Sequence, residues 1–82
     1  MKLFLISQEE NNDYDTYDSA VVAAETEEEA QKMDPDNGGV YNFNRAWAFI
    51  WAFTLESVTV KYLGEATIGT EKGVICASFN AG

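Results

Sequence analysis

Short apolar runs alternate with polar breaks along the whole chain. Lys2 to Ser7 (KLFLIS) is apolar and is followed at once by Gln8 to Asp15 (QEENNDYD). An apolar run of that length, bounded by Asn and Asp, predicts a buried strand and then a turn-prone loop. Thr16 to Ala24 (TYDSAVVAA) predicts a second strand, with Val21 and Val22 its most strand-favouring positions. The two strands and their loop form a plausible hairpin.

Thr26 to Glu29 carries the T-x-x-E pattern of a capping box. The Thr26 hydroxyl can accept from the Glu29 N–H, and the Glu29 carboxylate can reach back to the Thr26 N–H. Glu27, Glu28 and Glu29 also place negative charge in the first turn, where it complements the helix dipole. Ala30 and Met33, three apart, predict the inward face. Pro35 disfavours helical geometry at Asp34, so the helix should stop near Met33, and Asp36-Asn37-Gly38-Gly39 reads as a turn.

Val40 to Phe53 (VYNFNRAWAFIWAF) admits two readings. Trp47, Phe49, Trp51 and Phe53 alternate with Ala46, Ala48, Ile50 and Ala52, which is the period of a strand with one bulky and one small face. The alanines would also suit a short helix with Trp47, Ile50 and Trp51 inward. The aromatic alternation selects the strand. Thr54 to Ser57 then reads as a turn, Val58 to Ala66 as a strand, Gly69 to Gly73 as a loop and Val74 to Phe79 as a last strand. Asn80-Ala81-Gly82 is a fraying tail. The expected fold is α+β, a small antiparallel β-sheet with one helix packed on one face, in the order β-β-α-β-β-β.

Composition narrows the picture. With 82 residues, 46% of them hydrophobic and 13% aromatic, residues 1–82 make a single folded domain with a modest core. Cys76 is the only cysteine, so no intrachain disulfide forms, and its apolar flanks suggest a core thiol rather than a nucleophile. Histidine is absent, which removes the usual general base and the commonest metal ligand. No Gly-rich phosphate loop occurs, because Gly38-Gly39 lacks the lysine and the strand-to-helix context. A non-enzymatic protein with no cofactor and no structural metal is expected. No apolar run is long enough for a signal peptide or a membrane span, and with one cysteine the reading is cytoplasmic.

Charge is distributed unevenly. The net charge is −9, and residues 1–36, with 11 acids and two bases, carry all of it. Direct binding to nucleic acid or to an anionic membrane is disfavoured, since phosphate attraction needs clustered Lys and Arg. The acids read either as a solubilising face or as a surface that docks on a basic protein. For the second reading the candidates are Glu9, Glu10, Asp13, Tyr14, Asp15, Tyr17, Asp18, Glu27 and Glu28. Tyr14 and Tyr17 interleave the acids and offer contact area plus a hydroxyl, or else pack beneath the loop. The Asp-rich loop could instead hold a hard cation, though it lacks the spacing of an EF-hand. Trp47, Phe49, Trp51 and Phe53 are either core or the interface of a homo-oligomer, because so small a domain has little interior for them.

Three segments carry a resemblance: Ser7-Gln8 after the first strand, Tyr14 to Ala20 (YDTYDSA), and Ala77 to Gly82 (ASFNAG). With their surroundings, which span the opening and ending of the chain, they resemble a group of small uncharacterised phage and prophage proteins. The middle, Asn37 to Phe53, is shortened and divergent by comparison. The resemblance implies a phage accessory role in a bacterial host cell, in which small proteins block host defence or redirect host machinery. It carries over no catalytic or binding residue.

Overall fold

Both predicted N-terminal strands form where the pattern places them. A computed structural model of the protein describes residues 1–12, 15–44 and 50–80. Strand β1 (Lys2–Ser7) pairs antiparallel with β2 (Thr16–Ala24), Phe4 opposite Val22 and Ile6 opposite Ala20. Helix α1 (Glu27–Gln31) follows, then a 3-10 turn at Leu55–Ser57, β3 (Thr59–Glu65) and β4 (Gly73–Asn80). The sheet order is β3-β1-β2-β4, so the two N-terminal strands are central and the two C-terminal strands are its edges.

Alternation sorts the side chains of β1 and β2. Phe4, Ile6, Ala20, Val22 and Ala24 point to one face, where Ala30, Met33, Tyr41, Trp51, Ala52 and Val58 complete the core. Leu3, Leu5 and Val21 occupy the other face and are half-buried, with no described element packed over them.

The helix begins as its sequence dictates. Thr26 is extended, and its hydroxyl accepts from the Glu29 N–H at 3.1 Å. The reciprocal bond differs from the expected one: the Glu29 carboxylate takes the Glu25 N–H, at 2.9 Å, rather than that of Thr26. Ala30 and Met33 are buried as the spacing predicts. The chain then folds back on itself, with Met33 bridged to Val40 and the Tyr41 N–H donating to the Lys32 carbonyl at 2.8 Å. Asp34, buried, fixes this return by accepting from the Asp36 N–H at 2.7 Å. Gly38 has φ 79°, and a Cβ there would stand 3.2 Å from the Gly73 Cα, so the loop needs glycine both for its conformation and for its approach to β4.

Three expectations are corrected. Asn80 is not part of a fraying tail but the last residue of β4, opposite Thr16, and its carbonyl accepts from the Asp15 N–H. The strand over Val40 to Phe53 does not form among the described residues: Val40 makes one bridge, Phe43 and Asn44 turn, and Ile50, Trp51 and Phe53 lie in bends. The element order is therefore β-β-α-β-β. The reason lies in Trp51 and Ala52, adjacent residues that both reach the core, which alternating faces over a one-sided sheet do not allow. Cys76 is exposed, not a core thiol. It pairs with Val21, so its side chain stands on the open face of an edge strand.

Candidate functional site

The loop between β1 and β2 is built on two buried amides. The Gln8 side chain donates from Nε2 to the carbonyls of Asn11, at 2.8 Å, and Tyr17, at 2.9 Å. Its Oε1 accepts from the Asn11 N–H at 2.7 Å. Asn11 in turn donates from Nδ2 to the Trp51 carbonyl at 3.0 Å, and the Tyr17 N–H donates to the Ile50 carbonyl at 2.7 Å. The hairpin loop and the 50–51 segment are thus clamped together beside the core. Gln8 and Asn11 were readable only as polar loop residues. Their signal was Gln8 directly after a buried strand, where the next in-line position still faces inward.

Tyr17 holds a third segment. Its ring packs on Phe79 with centroids 4.7 Å apart, and its hydroxyl donates to Asp36 Oδ1 at 2.7 Å. That donated bond, with some burial and the charges of Asp36 and Asp34, holds the Tyr17 phenol above the ordinary tyrosine range. Asp15, beside it, has φ 61°, a left-handed conformation that Asp tolerates better than most residues.

The candidate acids separate into two groups. Glu9, Glu10, Asp15 and Asp18 lie at the end of the sheet where Ser7 pairs with Ser19. Glu27 and Glu28 lie beyond the opposite end, where Lys2 pairs with Ala24. The six residues of β1 lie between, roughly 20 Å of strand. The structure adds Glu56 to the loop end, through the 3-10 turn that feeds Thr59, the partner of Ser7. Asp36 meets the Tyr17 hydroxyl, but its loop runs on to Gly38, which abuts Gly73 and borders a recess shared with Lys32 and Lys72. Asp13 and Tyr14 fall outside the described residues.

Electrostatically the two ends differ. At the helix end Glu28 pairs with Lys32 at 2.9 Å, and Glu29 with Lys72 at 3.4 Å. The Glu29 carboxyl is held below its ordinary value, chiefly by the Glu25 N–H and then by Lys72. At the loop end, Glu9, Glu10, Asp15, Asp18 and Glu56 make no ion pair among the described residues, whose ion pairs lie at the helix end. Glu9 and Glu10 border an open recess of about 460 Å³ shared with Ser7, Ser57 and Thr59.

Of the aromatic candidates, Trp51 is fully buried and belongs to the core, whereas Phe53 is 45% exposed. Trp47 and Phe49 lie outside the described residues. Trp51 Nε1 is buried without a hydrogen-bond partner among the described residues. The described residues hold no group of three or more Asp, Glu or Cys placed to share a metal ion, and no described helix is long and apolar enough to cross a membrane. Comparison with protein-family models, with curated proteins and with solved structures gives no match.

Proposed function

We propose that the chain is a non-enzymatic, phage-type accessory protein that binds a basic protein partner through the acidic loop end of its sheet. The observation that supports this reading is the gathering of Glu9, Glu10, Asp15, Asp18 and Glu56, from the two sides of the hairpin loop and the 3-10 turn, at one end with no ion pair among the described residues. Like charges gathered this way repel one another, and a cationic surface relieves that repulsion on docking. A partner that ordinarily grips nucleic acid has such a surface, so the carboxylates would stand in for phosphates. The resemblance to small phage and prophage proteins points to a bacterial host protein and to the host cytoplasm.

Affinity capture from bacterial lysate, at low and high salt, tests the proposal. Charge-driven docking is screened within about 10 Å at 0.1 M salt, so a specific partner should be lost at high salt. Glu9→Gln with Glu10→Gln and Glu56→Gln should release the same partner, while Glu27→Gln with Glu28→Gln should keep it. Capture that ignores salt, or that depends on the helix-end acids instead, overturns the assignment.

A further inference from the structure

The turn after the helix holds a link that water can rearrange. Of the six asparagines in the chain, Asn37 alone precedes glycine. The amide carbon of an asparagine side chain is open to attack by the backbone nitrogen of the next residue, and glycine there has no side chain to block the approach. The loop presents both groups. Asn37 is exposed, and its Oδ1 accepts from the Gly39 N–H at 2.7 Å. That bond keeps the side-chain amide folded over the backbone of Gly38, draws electrons from its carbon, and points a donor at the oxygen that would carry charge in an addition intermediate. The Gly38 N–H donates to the Asp34 carbonyl at 2.8 Å, and this bond must open first. Asp36, Asn37 and Gly39 around it are exposed, so the opening is local.

We infer that Asn37 is a self-modification site, at which water replaces the side-chain amide and re-routes the backbone through the β-carbon as isoaspartate. Hydroxide removes the Gly38 amide proton. The Gly38 nitrogen then bonds to Asn37 Cγ, the Cγ–Nδ2 bond breaks, and Nδ2 takes a proton from water and leaves as ammonia. Water opens the resulting cyclic imide at either carbonyl. Opening at Cγ gives aspartate at position 37, and opening at the main-chain carbonyl gives isoaspartate. One water enters, one ammonia leaves, and nothing is oxidised. The isoaspartyl link lengthens the backbone by one atom and sets a new carboxylate beside Asp34 and Asp36. The loop has no slack for it, since even a Cβ at Gly38 would stand 3.2 Å from the Gly73 Cα. The lengthened loop must lift from β4 and pull on the Met33–Val40 bridge and the Tyr17 bond to Asp36. The reaction needs only water and hydroxide, so it stands independently of partner binding.

Ageing of the folded full chain in mildly alkaline buffer, followed by peptide mapping, is the test. Residue 37 should grow heavier by the difference between OH and NH2 and gain a negative charge, with isoaspartate among the products. It should change several-fold faster than Asn11, Asn12, Asn42, Asn44 or Asn80, at a rate that rises with hydroxide. The melting temperature should fall as isoaspartate accumulates. Asn37→Ser keeps a hydroxyl to accept from the Gly39 N–H but has no amide carbon to attack. That variant should age with no new charge at residue 37 and no loss of melting temperature. An Asn37 that survives in the folded chain, or changes no faster than the other asparagines, overturns the proposal. So does a melting temperature that stays constant while isoaspartate accumulates.

Discussion

Gln8 shows how much one side chain can organise. Its amide satisfies two carbonyls and one N–H in a place largely closed to water. Gln8→Ala would strand those groups, and each stranded buried group costs about 1–3 kcal/mol, so we expect a loss of about 2–3 kcal/mol overall. A lower urea midpoint with an unchanged slope is the measurement. Gln8→Glu is the sharper variant. It keeps the shape but turns an oxygen towards two carbonyl oxygens, so it should also destabilise at neutral pH and recover partly in acid, where the carboxyl can donate. At Tyr17 the sign is opposite. Its raised phenol pKa means that the Asp36 bond contributes fully below the ordinary tyrosine range and is lost as pH rises through the raised value. Tyr17→Phe should cost about 1 kcal/mol at neutral pH and remove the contribution of this residue to the alkaline end of a tyrosinate titration.

At the scale of elements, the helix is the part most dependent on local chemistry. Its five residues are too few to hold together alone, so the cap and the core contacts of Ala30 and Met33 sustain it. Thr26→Ala should cost about 1 kcal/mol, visible as a lower melting temperature. The Glu29 carboxyl, held below its ordinary value, stabilises the fold above the usual carboxylate range and ceases to as pH falls through the lowered value. Glu29→Gln should therefore flatten part of the acid side of the stability profile. Elements of this kind were legible in the sequence. The N-terminal strands, the cap, the helix stop before Pro35 and the last two strands each rest on a pattern within a few residues. The segment from Val40 to Phe53 was not legible, because its path is set by distant partners: Lys32 receives Tyr41, Asn11 and Tyr17 receive the carbonyls of Trp51 and Ile50, and the core receives Trp51. Among the described residues, adjacent Trp51 and Ala52 both reach the core, so alternation there does not mark an extended backbone. Trp51→Ala should cost about 3–5 kcal/mol, which in a domain of this size could abolish folding.

For the whole molecule, the decisive property is where the chain sends its charge. The acidic excess of residues 1–36 was plain in the sequence, but its division into two ends was not, since only strand pairing reveals it. Pairing also brought in Glu56, which does not belong to the acidic loop in sequence, and set Glu27 and Glu28 apart. Cys76 shows the same limit. An apolar strand in the sequence does not say whether it is central or an edge, and sheet order alone made this thiol exposed.

The order β3-β1-β2-β4 also bears on how the chain reaches its fold. The centre of the sheet is a local hairpin, closed within the first 24 residues and able to form in microseconds. Both edges come from residues beyond 58, so Phe4 must await Tyr62 and Val22 must await Val74. These distant pairings set a high contact order for so short a chain and make their docking the slow step. As the chain leaves the ribosome, its finished hairpin shows two bare flanks until residues 59–80 have followed it out. β3 closes the first of them and β4, behind it, the second.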